Sequence, residues 1–258
     1  MLTAQGIATF SSEYSASANG IKAKASRKLQ HLADGSYQFE NTLTAKFAGA
    51  TLATLIETSL FDMIGQNITP LHYQYSLTGI SNESKLIAFD WQTMLAVSSE
   101  TLKSWTIDLS TNTQDPLSYQ LVLPQYLANQ TGSLFEIPIV DGADIEIQRF
   151  RIIGEEVLDS AIGSLNCVIV ERIKEVDDKR TTTIWFAKDH FYLLAKLEQT
   201  TASGLTINLK LESAILASAD MLEKGDYGSV EEKIKKAVQI GLTKDLGLDY
   251  FDDPKARL

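Results

Sequence analysis

Apolar and polar residues alternate along most of the chain between residues 7 and 216. A period of two residues is typical of β-strands with one buried face, whereas an amphipathic helix repeats every three to four residues. In the first such segment, Phe10, Tyr14 and Ala16 alternate with serine and glutamate residues. The pattern therefore predicts a mainly β protein.

Around a dozen segments share this alternation, and short turns rich in Gly, Asn and Asp separate them. The dipeptide Asp34-Gly35, followed by the alternating segment 37–41, indicates a tight β-hairpin. Many short strands joined by hairpin turns favour antiparallel pairing over a parallel α/β fold. We predict a large antiparallel curved sheet or open barrel over residues 7–217. The further candidate strands are 50–63, 69–77, 85–90, 104–109, 134–140, 145–153, 165–173, 181–186, 193–200 and 205–216.

Two segments depart from the β pattern. In segment 115–128, Asp115 suits a helix N-cap and Pro116 the first helical position, so we predict one short helix there, kinked or shortened at Pro124. Ser229 begins a capping box followed by an apolar stripe that ends near Gly241, which predicts a second helix. We assign residues 218–258 to a C-terminal segment with this amphipathic helix and an acidic tail.

Charge and composition restrict the partners. The chain has 33 acidic and 23 basic residues and a net charge of −10, which disfavours a nucleic-acid partner held through phosphates. No window reaches the roughly 18 to 20 continuous apolar residues of a membrane-spanning helix. Cys167 is the only cysteine, so no intramolecular disulfide can form, and its apolar neighbours favour a buried thiol.

Three motifs together resemble a known family. They are Phe89-Asp90-Trp91 at a strand end, Asp115-Pro116-Leu117-Ser118 at the start of the predicted helix, and the late segment 183–198. In this order and spacing, they resemble the Gram-negative envelope proteins of the domain of unknown function 3108, over roughly residues 14–216. The family usually has a proline where Leu194 and Ala195 stand. The resemblance implies export to the periplasm, no established activity, and a curved sheet similar to that of the lipoprotein carriers LolA and LolB.

An aromatic set provides the candidate ligand-binding residues. Phe89, Trp91, Trp105 and Trp185, with Tyr73 and Tyr75, lie on strands or at strand ends, and Asp90 is an adjacent polar group. Core packing is the more common role of such aromatic residues, and Asp90 also suits a turn that ends the strand. A curved sheet often encloses a hollow, so we predict non-catalytic binding of an apolar small molecule or lipid at Phe89, Asp90, Trp91, Trp105 and Trp185.

Two other functions remain open. The protein could be a structural or assembly factor of the envelope that binds a protein partner through a sheet edge or the C-terminal helix. A hydrolase would have to use Ser118 or Asp115, but this pair also suits helix capping. We predict no catalytic residues, no metal site and no cofactor, since the three histidines are far apart and no phosphate-binding glycine motif is present.

Overall fold

A computed structural model describes residues 2–3, 6–79, 81–129, 132–174 and 179–217. The predicted C-terminal helix and acidic tail, residues 218–258, lie outside these described residues. The boundary that we predict at residue 217 therefore stays a prediction.

Strands dominate the described residues. One α-helix and one short 3-10 helix, Lys188–His190, accompany them. The strands are β1 (Leu2–Thr3), β2 (Gly6–Ile7), β3 (Thr9–Ala18), β4 (Ile21–His31), β5 (Tyr37–Phe47), β6 (Ala50–Ile64), β7 (Asn67–Gly79), β8 (Glu83–Asp90), β9 (Leu95–Glu100), β10 (Lys103–Asp108), β11 (Leu134–Asp141), β12 (Asp144–Ser160), β13 (Gly163–Arg172), β14 (Thr181–Ala187), β15 (Leu193–Thr200) and β16 (Thr206–Ala217), and the helix is α1 (Tyr119–Ala128).

Strands β3 to β16 form a 14-stranded sheet in the described part of the chain, and every neighbouring pair that it contains is antiparallel. The chain winds outward from β3 to β10, crosses through α1 to β11, and winds back to β16. Strand β16 then pairs with β3, so the two halves meet in the middle of the sheet. The edges, β10 and β11, do not pair with each other, and the predicted open, curved antiparallel sheet is confirmed.

The helix begins later than its sequence indicates. The structure places the start of α1 at Tyr119, and residues 115–118 form a preceding turn, so the predicted start at Asp115 is wrong. The physical reason is that the first backbone bonds, Gln120 to Leu117 and Leu121 to Ser118, span three residues rather than four. The predicted end at Ala128 is correct, but the predicted shortening at Pro124 is wrong, because α1 continues past Pro124.

Among the strands of the 14-stranded sheet, the alternation missed β4 and β9. Strand β4 is rich in lysine and alanine, which are depleted in strands, so its sequence does not favour a β assignment. Strand β9 does not alternate, because three apolar residues, Leu95 to Val97, are followed by three polar ones, Ser98 to Glu100. Both form because neighbouring strands pair with them on each side.

The last residue of β7, Gly79, lies so close to β6 that a side chain there would collide with it. Gly79 has φ +120°, and a Cβ built there would lie 2.1 Å from the Leu52 carbonyl oxygen. We expect Gly79→Ala to lower the free energy of unfolding by about 2 to 3 kcal/mol, through backbone strain and this steric clash together. Gly163→Ala is the matched control, since Gly163 has φ +114° and open space around its Cβ position. Urea denaturation of both variants measures the effect, and equal losses would contradict the clash.

Candidate functional site

The concave face of the sheet contains a cavity of about 400 Å³. One end of this face is covered by residues 115–128, the turn and helix that we call the plug. The contacts that hold the plug include two hydrogen bonds, from Ser59 to the Asp115 carboxylate at 2.5 Å and from Arg27 to the Gln120 amide oxygen at 2.6 Å. They also include two ring stacks, Tyr119 on Phe150 and Tyr126 on Phe135, at 5.6 and 5.3 Å between ring centroids. The plug side chains that line the cavity are Pro116, Tyr119 and Gln120.

Leucines line much of the cavity wall. Ala25, Leu43, Leu55 and Leu77 are direct cross-strand neighbours from β4 to β7, and all four line the cavity. We call these four residues the leucine row. Across the cavity, the wall from β15 and β16 includes Leu197, Leu209 and Ile207. These two walls form the apolar part of the cavity, and apolar walls combined with a few polar groups are the usual setting of a small-molecule site.

A second row, parallel to the leucine row, is polar. Each of its members is the direct cross-strand neighbour of the next, and each lines the cavity. We call this row the polar belt; it consists of Arg27, Asn41, Glu57, Tyr75, Lys85 and Glu100. Along β6, Glu57 lies between Ser59, which contacts the plug, and Leu55 of the leucine row. The polar belt therefore lies between the plug and the apolar part of the cavity.

Most charges of the polar belt have partners within it. The Glu57 carboxylate accepts hydrogen bonds from the Asn41 amide at 3.0 Å and the Tyr73 hydroxyl at 2.8 Å. Burial raises the pKa of Glu57, and these two hydrogen bonds and Arg27 oppose the rise. Lys85 and Glu100 form an ion pair at 2.6 Å. These contacts provide partners for the charges of Glu57, Lys85 and Glu100.

Arg27 is the most enclosed charge of the belt, with only 4% of its surface exposed. Its guanidinium carbon lies 4.9 Å from the centroid of the Phe39 ring, a cation–π contact. Burial lowers the pKa of Arg27, against the opposing influence of Tyr14, Tyr119 and Glu57. Its Nε has no hydrogen-bond partner among the described residues. A buried donor of this kind is costly unless something else accepts its hydrogen bond.

A second guanidinium lines the same cavity from the other half of the sheet. Arg172 on β13 is 7% exposed, and its Nη2 lies 3.9 Å from a Glu146 carboxylate oxygen. Burial raises the pKa of Tyr119 to about 12, while Arg172 and Arg27 both act to lower it. Both arginines therefore act on the same cavity-lining residue, Tyr119, and favour its ionised form.

Phe89, Asp90 and Trp91 from the predicted site lie at the end of β8 and in the turn after it. The rings of Phe89 and Trp91 stack at 6.0 Å, and the Trp91 indole donates to the Pro70 carbonyl at 2.6 Å. The Asp90 carboxylate accepts hydrogen bonds from the backbone N–H groups of Gln92 and Thr93. Asp90 thus stabilises the turn that ends β8.

The two other predicted tryptophans lie elsewhere in the sheet. Trp105 is on the edge strand β10, where it pairs with Ser98. The Trp185 ring is covered by Lys196, whose Nζ lies 4.0 Å from the ring centroid. Within the part of the chain that the structure describes, none of Phe89, Asp90, Trp91, Trp105 and Trp185 lines the cavity, whereas Tyr73 and Tyr75 do. Ligand binding by those five residues stays a prediction.

Sequence reasoning missed the charges of the polar belt, although it placed β6 correctly. Glu57 lies on the same inward face of β6 as Leu55 and Ser59. A charged residue at a position expected to be in the core was therefore the signal that could have identified it. Arg27 carries the same signal between Ala25 and Leu29, but it lies on β4, which the alternation did not reveal.

The candidate nucleophiles are engaged in structural contacts. The Ser118 hydroxyl accepts a hydrogen bond from the Asp115 N–H, and the Asp115 carboxylate accepts from the N–H groups of Leu117 and Ser118. Burial raises the pKa of the Cys167 thiol to about 11, which leaves it protonated at neutral pH. The described residues contain no group of three or more His, Cys, Asp or Glu side chains able to hold a metal ion.

The stability of the plug depends on pH through Asp115. Burial raises the pKa of Asp115 from 3.8 to about 6, against the hydrogen bonds from Ser59, Ser118 and Leu117. The folded state therefore binds the proton more tightly than the unfolded state, and this stabilisation is lost as pH rises through about 6. We expect wild type to gain about 1.4 kcal/mol, relative to Asp115→Asn, between pH 7.5 and pH 5.

Urea denaturation of both proteins at the two pH values measures this effect. Because the remaining titratable groups are shared, the difference between the two proteins isolates Asp115. A parallel change in both proteins would contradict the raised pKa.

Comparisons with known proteins concern the family and the fold. The family described as "Protein of unknown function (DUF3108)" matches residues 13–211. No curated protein matches the chain. One similar solved structure is the "Crystal Structure of Beta-barrel-like Protein of Domain of Unknown Function DUF1849 from Brucella abortus", with a TM-score of 0.56 and 8% identity over 83% of this chain and 99% of that one. At this identity, the likeness concerns the fold alone.

Proposed function

The chain belongs to the DUF3108 family of proteins of unknown function, and from the geometry of its concave face we propose that it is a non-catalytic protein that binds an apolar ligand such as a lipid. The observation that carries this proposal is the cavity of about 400 Å³ bordered by the leucine row. This volume falls within the range of about 300 to 1,000 Å³ that is usual for small-molecule sites.

The walls of the cavity support an apolar occupant. Leu43, Leu55 and Leu77 come from adjacent strands, while Leu197 and Leu209 come from the other half of the sheet. An apolar chain between these walls would remove leucine side chains from water on both sides. Burial of apolar surface contributes roughly 25 cal/mol per Å², which is the driving force of the proposed binding.

The plug supports the same function by closing one end of the concave face. Its contacts reach strands in both halves, through Ser59 on β6 and Phe150 on β12. A wall that is fixed before the ligand arrives reduces the conformational entropy lost on binding. We propose that the plug holds the cavity open in the unbound protein.

The test is isothermal titration calorimetry of the full chain with 1-decanol, an uncharged apolar probe. We expect saturable binding of one probe molecule by the wild type. Leu55→Trp fills the cavity and should reduce the affinity at least about tenfold through steric exclusion. The control is Ile56→Trp, because Ile56 is the next residue on β6 and is exposed on the opposite face.

Circular dichroism checks that both variants fold. Absence of saturable binding by the wild type would overturn the proposal. Equal binding by the two variants would show that the probe binds outside the cavity.

In the second hypothesis, an envelope protein binds through a sheet edge or the C-terminal helix; the edges are β10 and β11, and the helix lies in residues 218–258, outside the described residues. Periplasmic location is part of our proposal and rests on the sequence resemblance. Cell fractionation of the native protein tests this location. Among the described residues, no helix has the length and apolar character needed to cross a membrane.

A further inference from the structure

We propose that the bound ligand is an anionic amphiphile, with its acidic head group at Arg27 on the polar belt and its apolar chain along the leucine row. This inference rests on the proposed function and specifies the chemical class of the ligand. It goes beyond apolar binding because it assigns a head group, an orientation and a recognition residue.

The first argument is the state of the Arg27 guanidinium. Arg27 lines the cavity and is buried, its Nη2 donates to Gln120, and its Nε has no partner among the described residues. A buried cation with an unsatisfied N–H is unfavourable unless an acceptor, best an anionic one, completes it. A carboxylate, sulfate or phosphate oxygen in the cavity would supply this acceptor.

The second argument is the balance of charge around Arg27. Among the described residues, the other cations that line the cavity are Lys85, Arg180 and Arg172, and each has a carboxylate nearby: Glu100 at 2.6 Å, Asp141 at 2.7 Å and Glu146 at 3.9 Å, respectively. Glu57 lies two strands from Arg27, with Asn41 between them. At the usual strand spacing, this places the two backbones about 10 Å apart. The Glu57 carboxylate accepts hydrogen bonds from Asn41 and Tyr73, and it acts on the Arg27 charge only at longer range, without an ion pair between the two among the described residues.

The third argument is the order in which the plug, the polar belt and the leucine row follow one another along the strands. Arg27 and Ala25 are successive inward residues of β4, and Glu57 and Leu55 are successive inward residues of β6. The plug lies on the other side of the belt, at Ser59. A head group at Arg27 would therefore lie between the plug and the leucine row. The apolar chain of the ligand would then extend from the head group along the leucine row, away from the plug.

The experiment compares two ligands of equal chain length on the full-length wild-type protein. Decanoate and 1-decanol differ in the charge of the head group, and calorimetry at pH 7.5 gives both affinities. We expect decanoate to bind about 10- to 100-fold more tightly, the usual contribution of a buried charge-assisted hydrogen bond. Sodium acetate, which carries the anion without the chain, should not bind at the same concentrations.

The variants assign the effect to Arg27. Arg27→Met keeps a long side chain without the charge, and we expect it to lose the preference, so that it binds decanoate no more tightly than it binds 1-decanol. Lys28→Met is the matched control: it removes the same charge from the exposed neighbour on the same strand and should keep the preference.

The outcomes separate this inference from the proposed function. Equal affinities of the wild type for decanoate and 1-decanol would overturn the inference and leave the proposed function intact. Binding of neither ligand would overturn both. Acetate that binds as tightly as decanoate would replace the amphiphile with a free anion, and an unchanged preference in Arg27→Met would remove the role of Arg27. Since the ligand comparison uses the wild type, it stands even if Arg27→Met fails to fold.

Discussion

Replacing Asp115 with alanine is expected to lower the free energy of unfolding by about 3 to 5 kcal/mol, because three buried donors then lose their common acceptor. These donors are the Ser59 hydroxyl and the N–H groups of Leu117 and Ser118, at 2.5, 2.7 and 2.7 Å from the carboxylate. Asp115 itself is fully buried. Its contact with Ser59 also joins the plug to β6, so the alanine variant weakens a tertiary contact and a turn together.

Chemical denaturation in urea measures this loss. Asp115→Asn should recover most of the stability, since its amide oxygen still accepts from the two backbone N–H groups. Asp90→Ala is the matched control, because Asp90 accepts the same kind of backbone hydrogen bonds in an exposed turn. A change in Asp115→Ala as small as that of Asp90→Ala would contradict the role of Asp115 in the plug.

Replacing Phe150 with alanine is expected to cost about 3 to 5 kcal/mol, the usual range for truncating a buried phenylalanine. Phe150 is completely buried on β12, pairs with Phe135 on β11, and stacks on Tyr119 of the plug. The variant leaves a void between the sheet and the plug, and the lost stacking adds to the lost burial.

Val157→Ala is the control for this second substitution. Val157 lies on the same strand and is 66% exposed, so its truncation should change stability by less than about 0.5 kcal/mol. Thermal and urea denaturation of both variants give the comparison. A loss below about 1 kcal/mol in Phe150→Ala would show that the plug does not depend on this packing.

Both substitutions act on the same feature, the attachment of the plug to the concave face. Asp115 joins the plug to the first half of the sheet through Ser59, and Phe150 joins it to the second half through Tyr119. We therefore expect folded variants at either position to bind 1-decanol less tightly than the wild type. Calorimetry at a temperature well below each melting transition separates this effect from unfolding.

The alternation of the chain was sufficient to predict the fold class. The side chains of a strand alternate between its faces. When one face is buried, apolar residues therefore tend to recur at every second position, as in Phe10, Tyr14 and Ala16 of β3. The same rule failed for β4, where Ala25 and Arg27 face inward among lysines. Pairing with β3 and β5, rather than composition, makes this segment a strand.

The candidate site was predicted only in its general character. The sequence indicated an aromatic hollow in a curved sheet, and Tyr73 and Tyr75 do line the cavity. The tryptophans lie elsewhere, since a large aromatic ring is equally favourable in the core, in a turn or beneath a lysine. Sequence position alone does not separate these environments.

The sequence by itself determined a mainly antiparallel β protein with one helix between two runs of strands, because local periodicity and turn residues record which face of each strand is buried. Only the tertiary structure decided which inward residues stand beside each other. Arg27, Asn41, Glu57 and Lys85 become members of one polar belt through strand register, which depends on the pairing of β4 to β8. The cavity likewise forms between segments distant in the chain, such as Leu43 and Leu209, so its contacts cannot be derived from local sequence.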